Sequence, residues 1–165
     1  MAAVSYGFPW SGLMIDFKFQ SRPGFAALFA QLLRSTPWVE PALERADLLI
    51  PMPLAKQRLQ QRGFNQALVL ARQLAANKTA SQLLLRIRDT PAQSQLKRSE
   101  RSRNVADAFA VDPLARAQLE NKRVVLVDDV MTSGASLFSA AKTLRQAGVA
   151  HITALVVART DFGPP

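Results

Sequence analysis

The chain has 165 residues, of which 48% are hydrophobic, and it carries a formal net charge of +9. This length and composition predict one globular domain over residues 1–165 and exclude a largely disordered chain. With no cysteine and a single histidine, the sequence excludes disulfides, thiolate metal sites, cysteine nucleophiles and histidine-based metal clusters.

The first 36 residues predict a strand and a helix ahead of the main fold. Residues 13–19, Leu-Met-Ile-Asp-Phe-Lys-Phe, predict a short strand. The Pro23-Gly24 pair predicts a turn. Residues 25–33 predict a helix because their large apolar side chains recur at helical spacing.

The next stretch predicts strands that alternate with a helix. Residues 47–50 predict a buried strand, which residues 51–54 should end because their prolines cannot continue a central ladder. A basic segment follows at residues 56–62. Asn65 can cap a helix that extends to about residue 76, and residues 83–87 predict another strand.

Residues 88–104 are polar and strongly basic. A loop of this length inside a compact domain is uncommon and is often a functional lid, so we predict a flexible lid here. Residues 104–111 predict a short strand or turn, and residues 113–120 predict a surface helix.

The stretch from residue 124 to residue 136 organises the C-terminal part. Val124 to Val127 predict a buried parallel strand. Asp128 and Asp129 follow at its carboxyl end, and residues 132–136 form a turn into a helix that we expect to end at Gly148. A last strand is predicted at residues 152–158. This alternation of strands and helices predicts an α/β fold, with a parallel sheet covered by helices on both faces.

Two further expectations concern location. No apolar run reaches the ~18 residues of a membrane helix. The N-terminus also lacks the basic segment followed by an apolar one that marks a signal peptide, so we expect a cytoplasmic protein.

The acid pair and the turn after it predict an anion site. Open α/β sheets bind ligands at the carboxyl ends of their strands, and a turn into a helix N-terminus suits phosphate. Gly134 allows the backbone to approach such a ligand closely. The net positive charge also favours phosphorylated metabolites or nucleic acid, although a merely basic surface gives the same charge. The turn lacks the Gly-Lys-Ser/Thr of a Walker loop and the three spaced glycines of a dinucleotide fingerprint.

Asp128 and Asp129 have three possible roles. As acceptors they can bind the vicinal hydroxyls of a sugar, and as hard oxygen ligands they can bind magnesium. Alternatively, the two acids only cap the helix at a turn.

Residues 124–136 resemble the phosphoribosyl-pyrophosphate signature of type I phosphoribosyltransferases. Further motifs resemble the ComF/GntX family within that superfamily, and the match extends from about Lys18 to Arg159. These motifs are Asp-Leu-Leu-Ile-Pro-Met-Pro-Leu at 47–54, Arg-Gly-Phe-Asn-Gln at 62–66, Thr-Pro-Ala-Gln at 90–93, and Leu96, Arg101, Asn104, Ala108 and Phe109. The resemblance implies a type I phosphoribosyltransferase-like sheet with a small N-terminal hood formed by residues 1–36.

The resemblance also implies roles for individual residues. Asp128 and Asp129 would hold the ribose hydroxyls, and would bind magnesium mainly through the bound ligand. Arg101 would be the catalytic cation of the lid, with Arg98 or Lys97 as the alternative, and Lys18 would lie near the acceptor site. The 5′-phosphate would bind Thr132, Ser133, Gly134, Ala135 and Ser136. The pyrophosphate would bind Pro51, Met52, Pro53 and Leu54, often through a cis peptide bond without proline, with Lys56, Arg58 and Arg62 nearby.

These roles imply a protein that binds phosphoribosyl pyrophosphate and Mg²⁺ and transfers phosphoribose to an acceptor that the sequence does not identify. An alternative is a non-enzymatic protein of competence and DNA uptake that binds phosphoribosyl pyrophosphate or single-stranded DNA. For DNA, aromatic side chains among the basic residues would be favourable, and residues 88–104 contain none. A third alternative is an interaction subunit with a vestigial site. Many family members begin with a cysteine-rich zinc ribbon, and this sequence contains no such module because it has no cysteine.

Overall fold

A four-stranded parallel sheet forms the centre of the fold in the computed structural model, which describes residues 1–19, 24–88 and 107–160. Its strands are β1 (Ala2–Ser5), β2 (Leu48–Pro51), β5 (Arg123–Met131) and β6 (His151–Arg159). They lie in the order β1–β6–β5–β2. A separate antiparallel pair consists of β3 (Leu84–Arg86) and β4 (Phe109–Val111).

Six α-helices occur in the described ranges, and none of them is both long and apolar enough to cross a lipid bilayer. They are α1 (Trp10–Phe19), α2 (Phe25–Arg34), α3 (Val39–Arg45), α4 (Lys56–Arg62), α5 (Gln66–Ala75) and α6 (Ala135–Gln146). Short 3₁₀ helices occupy Ala76–Lys78 and Pro113–Gln118, the second of which lies in the predicted surface helix.

Helices cover both faces of the sheet, as the sequence predicts. Successive side chains of β5 point to opposite faces. Val124 and Leu126 pack with α6 and with the β3–β4 pair, whereas Val125 and Val127 pack with α1, α2 and α5. The continuous apolar stretch of β5 therefore reflects burial on both of its faces, as is typical of parallel sheets.

The prediction of a strand at residues 13–19 is wrong, because α1 covers this segment. An alternating pattern would bury Ile15 with Phe17, but Ile15 is 48% exposed while Met14 and Phe17 are fully buried. Met14 and Phe17 are three residues apart and share one helical face. The ring of Phe17 packs edge-on against Phe29 of α2, so tertiary packing decides the conformation.

The strand β5 is longer than predicted, and its extra length creates a step in the sheet. On one side, β5 pairs with β6 as far as Met131 opposite Arg159. On the other side, β2 ends at Pro51 opposite Val127, and the Met52 N–H donates a last bond to the Val127 carbonyl (2.8 Å). Pro51 is tolerated as a strand residue because β2 lies at the sheet edge. Asp128 and Asp129 therefore lie just beyond the end of the neighbouring strand.

Candidate functional site

A cleft of about 370 Å³ opens at the carboxyl ends of β2 and β5. This volume lies within the range of roughly 300–1,000 Å³ that small-ligand sites occupy. The cleft brings together four predicted features: the acid pair, the turn after β5, the loop after β2 and two cations of α4. The predicted site residues that line it are Lys18, Met52, Pro53, Leu54, Arg58, Arg62, Asp128, Asp129, Thr132, Gly134 and Ser136.

The acid pair is held by the main chain of its own strand. The Asp129 N–H donates to Asp128 Oδ1 (2.9 Å), and the Val130 N–H donates to Asp129 Oδ1 (2.6 Å). Neither carboxylate caps α6, since that helix begins after Gly134 without a side-chain cap. The geometry thus disfavours the alternative in which the acids serve only as helix caps.

Lys18 reaches the acid pair from α1. Its Nζ lies 3.2 Å from Asp129 Oδ2, and both side chains are largely buried. Asp129 Oδ2 makes no hydrogen bond of normal geometry within the described residues. A buried carboxylate oxygen without such a hydrogen bond can still accept one from a ligand hydroxyl or coordinate a cation.

The electrostatics of the pair favour a cationic or hydrogen-bonding ligand. Burial, together with the negative charge of Asp129, raises the pKa of Asp128 to about 7. The Asp129 N–H and the Lys18 ammonium act in the opposite direction on this pKa. A magnesium ion or donated ribose hydroxyls would also favour the ionised carboxylate.

The turn after β5 depends on glycine at one position. Gly134 has φ +76°, a left-handed conformation in which side chains are strained, and it precedes the first turn of α6. A Cβ at this position would lie 3.1 Å from Cε2 of Phe138 and 3.5 Å from Sδ of Met131. The first N–H groups of α6 lack partners within the helix, as at any helix start. The turn therefore combines the main-chain N–H groups of a helix start with an open backbone, a combination that suits phosphate.

The loop after β2 and the helix α4 form the opposite wall. Asn65 Nδ2 donates to the Met52 carbonyl (3.0 Å) and holds this loop against the start of α5. Arg58 and Arg62 of α4 line the cleft. In the described part of the chain the cis peptide bond is Phe8–Pro9, so the cis bond expected at residues 51–54 is not seen.

Not every predicted residue lies in the wall. Pro51, Lys56, Ser133 and Ala135 are outside the cleft lining, although Pro51, Ser133 and Ala135 each adjoin a residue that lines it. Ser133 Oγ accepts from the Ala135 N–H (3.4 Å) and so shapes the turn. Arg101, Arg98 and Lys97 lie outside the described residues, as does most of the predicted lid, so these assignments stay predictions.

The sequence missed one cation of the cleft, Arg86 of β3. Its guanidinium carbon lies 5.5 Å from the centroid of the buried Phe109 ring on β4, a distance at which cation–π attraction contributes. No local motif marks Arg86, because its position depends on the pairing of β3 with β4.

The carboxylates of Asp128 and Asp129 are too few to complete the coordination of a cation with protein ligands alone. In the described ranges no group of three or more His, Asp or Glu side chains is clustered. A cation at Asp128 and Asp129 would therefore complete its coordination with ligand and water oxygens, which is how magnesium commonly binds.

The fold and the site together define the class of protein. Two solved structures share the fold, with TM-scores of 0.51 and 0.52 over 87% of this chain, at 16% and 18% identity. They are the glutamine phosphoribosylpyrophosphate amidotransferase from B. subtilis and a structure described as the allosteric regulatory enzyme of purine biosynthesis. This chain spans 30% of the length of each. It has the fold of the type I phosphoribosyltransferases.

Residues 59–161 match the phosphoribosyl transferase domain, and the chain belongs to this family. It is 33% identical to Competence protein F of Haemophilus influenzae over 159 residues, which cover 92% of this chain and 68% of that protein. It is 32% identical to DNA utilization protein YhgH of Salmonella typhimurium, over 97% of this chain and 71% of that protein. Competence protein ComFC of Bacillus subtilis is 35% identical over 62% of this chain and 40% of that protein. The resemblance to the ComF/GntX family is thereby confirmed.

Proposed function

We propose that the chain binds phosphoribosyl pyrophosphate with magnesium in this cleft and transfers the phosphoribosyl group to an acceptor, with release of pyrophosphate. The observation that carries the proposal is one juxtaposition within a single cleft. The acid pair and the glycine turn of β5 and α6 face the cations Arg58 and Arg62 of α4.

Each part of this ligand has a chemically suitable counterpart. The ribose hydroxyls donate to Asp128 and Asp129, which are pure acceptors when ionised. The 5′-phosphate fits the turn at Gly134, where N–H groups and the helix dipole favour an anion. The pyrophosphate fits the wall that carries Arg58 and Arg62, because charge-assisted hydrogen bonds to guanidinium groups are among the strongest available.

The residues of the cleft act by positioning and by charge. The bond between the anomeric carbon and pyrophosphate breaks, and its electron pair leaves with the pyrophosphate. The acceptor then forms the new bond to the anomeric carbon and loses its proton. The acid pair would stabilise the positive charge that develops on the sugar, and the guanidinium groups would stabilise the leaving group. Magnesium, when bound, supplies further positive charge at the leaving group.

A thermal-shift measurement tests the binding step. A ligand that binds only the native state at 100 times its Kd stabilises that state by about 2.7 kcal/mol. Phosphoribosyl pyrophosphate with magnesium should therefore raise the Tm, and Asp128→Asn with Asp129→Asn should abolish the rise. Glu44→Gln, a change at an exposed acid of α3, is the matched control and should keep it. An unchanged Tm of the wild type at millimolar ligand would contradict the proposal.

A pyrophosphate-release screen across candidate acceptors tests the chemistry separately. An active transferase releases pyrophosphate only with the correct acceptor. A thermal shift without release for any nucleobase or amine would instead indicate a protein that only binds the ligand, which is the non-enzymatic alternative.

A second candidate function is the binding of single-stranded DNA. Two relatives are named for competence and for DNA utilization, and one surface of this chain suits such a ligand. Trp38 is 74% exposed and adjoins a shallow pocket that Arg45, Arg123 and His151 also line. An exposed aromatic ring beside cations is the usual platform for a stacked base and its phosphate.

This surface lies at the amino ends of β5 and β6, away from the acid pair at the other end of the sheet. Single-stranded DNA should bind with an affinity that falls steeply as salt rises. Trp38→Ala should weaken the binding, whereas Phe8→Ala, a change at another exposed aromatic residue, should not. Absence of binding at low salt, or equal effects of both substitutions, would contradict this second candidate.

A further inference from the structure

The segment from Arg62 to Gln66 supplies one cation to the cleft, and its other residues contact the loop after β2 and the end of α1. Gly63, at φ +77°, ends α4 in the left-handed conformation. Asn65 caps α5 by accepting from the Leu68 N–H (3.3 Å), and it also holds the Met52 carbonyl. The segment therefore fixes the position of the loop after β2, and Gln66 extends this arrangement to α1.

Gln66 is 1% exposed, and both the oxygen and the nitrogen of its buried side-chain amide form hydrogen bonds. Its Oε1 accepts from Nη1 of Arg62 (3.1 Å). Its Nε2 donates to the main-chain carbonyl of Lys18 (3.4 Å). A buried amide is unfavourable unless it is hydrogen-bonded, so these two bonds account for a polar side chain at a core position.

The Lys18 carbonyl is one of the last four of α1, which have no partner within the helix. Gln66 satisfies this carbonyl, while the packing of Phe17 against Phe64 (5.9 Å between ring centroids) holds the same turn. The side chain of Lys18 extends from this anchored turn to Asp129 Oδ2, 3.2 Å away. The end of α1 is thus tied to Gln66 through its backbone and to the acid pair through its ammonium group.

We propose that Gln66 is a positioning residue, which holds Arg62 on one wall of the cleft and Lys18 on the other as one hydrogen-bonded unit. Gln66 itself does not line the cleft. The ligand groups that the two cations would contact, namely the pyrophosphate and the region of the ribose, are those of the proposed function, on which this part of the inference rests. The placement of the cations does not depend on a ligand, so it is testable without one.

Residue-specific labelling of the ligand-free chain tests this placement. Gln66→Met keeps the approximate volume of the side chain and removes both hydrogen bonds. It should raise the acylation rate of Lys18 and the phenylglyoxal rate of Arg62 several-fold, as measured by mass spectrometry below the Tm. Lys78, whose Nζ donates to the carbonyls of Leu43 and Glu44 (2.9 and 3.0 Å), is the internal control and should be unchanged.

Two further variants separate positioning from general loosening. Gln66→Glu keeps an acceptor for Arg62 but loses the donor to the Lys18 carbonyl, so it should raise labelling at Lys18 alone. Gln73→Met, at an exposed position of α5, should raise neither rate. Unchanged labelling of Lys18 and Arg62 in Gln66→Met, or an equal rise at Lys78, would overturn the inference.

Ligand binding then tests the consequence for the site. Gln66→Met should weaken the binding of phosphoribosyl pyrophosphate with magnesium about tenfold, and Arg62→Met should also weaken it. Because Gln66 acts partly through Arg62, the loss in the double variant should be smaller than the product of the two single losses. A loss of affinity in the double variant equal to the product of the two single losses would contradict the coupling between Gln66 and Arg62. If the wild type does not bind this ligand, the proposed function fails, whereas the labelling rates still decide the role of Gln66.

Discussion

Replacing Gly134 by alanine perturbs the turn at one atom, and its effect can be worked out from two contributions. The first is backbone strain: at φ +76°, the left-handed conformation is about 1–2 kcal/mol less favourable for a non-glycine residue. The second is contact, since the new Cβ would lie 3.1 Å and 3.3 Å from two carbons of the Phe138 ring. Phe138 is 75% exposed and can rotate away, so the contact should contribute less than the strain.

The expected loss for Gly134→Ala is therefore about 1–2 kcal/mol of unfolding free energy, or roughly 2–8 °C in Tm for a domain of this size. Urea denaturation measures it. Gly12→Ala is the matched control: Gly12 is within α1 and has nothing within 4 Å of the added Cβ, so this change should be neutral or stabilising by up to about 1 kcal/mol.

The double variant Gly134→Ala with Phe138→Ala separates the two contributions. Removal of the ring relieves the contact and leaves the strain, so most of the loss from Gly134→Ala should persist against a Phe138→Ala background. Full recovery of stability would show that the contact dominates. A Gly134→Ala variant as stable as the wild type would refute the argument from the left-handed conformation.

Three further predictions concern other residues. Burial and the charge of Asp129 raise the pKa of Asp128 from 3.8 to about 7, so between about pH 4 and pH 7 the native state holds a proton that the unfolded state has lost, and stability should fall as pH rises through this range. Asp128→Asn should flatten this fall and raise the Tm at pH 8. A pH profile of stability that is the same in Asp128→Asn as in the wild type would contradict this prediction. Asn65→Ala should destabilise by about 1–2 kcal/mol in urea denaturation, because it loses a helix cap and the bond to the Met52 carbonyl; a loss no larger than that of Gln73→Ala would refute this role. Phe17→Ala should destabilise by about 3–5 kcal/mol, since Phe17 is fully buried between Phe29 and Phe64; near-native stability would indicate that α1 is not packed there.

The part of the site that lies within one segment was predictable from sequence. Asp128, Asp129 and the turn through Ser136 are consecutive, so the apolar strand, the acids and the glycine appear as one pattern. The same is true of α5, where Asn65 is the cap that the sequence predicts. Local chemistry of this kind needs no knowledge of the tertiary structure.

The contacts that complete the site join segments that are distant in sequence. Gln66 and the carbonyl of Lys18 are 48 residues apart, and Arg86 faces the cleft only because β3 pairs with β4. The sequence predicts a strand where α1 forms, because a short apolar segment fits both the helical and the strand pattern. Its burial against α2 and α5 decides the conformation, and that burial is what brings Lys18 to the acid pair.

Calorimetric titration tests the central claim most directly, namely that one ligand spans the acid pair, the glycine turn and the cations of α4. With magnesium present, phosphoribosyl pyrophosphate should bind at least tenfold more tightly than either ribose 5-phosphate or pyrophosphate alone. The variant with Asp128→Asn and Asp129→Asn should lose this advantage, because the acids hold the sugar that joins the two phosphate-binding regions. Equal affinity for the three ligands, or no binding of phosphoribosyl pyrophosphate by the wild type, would contradict the account.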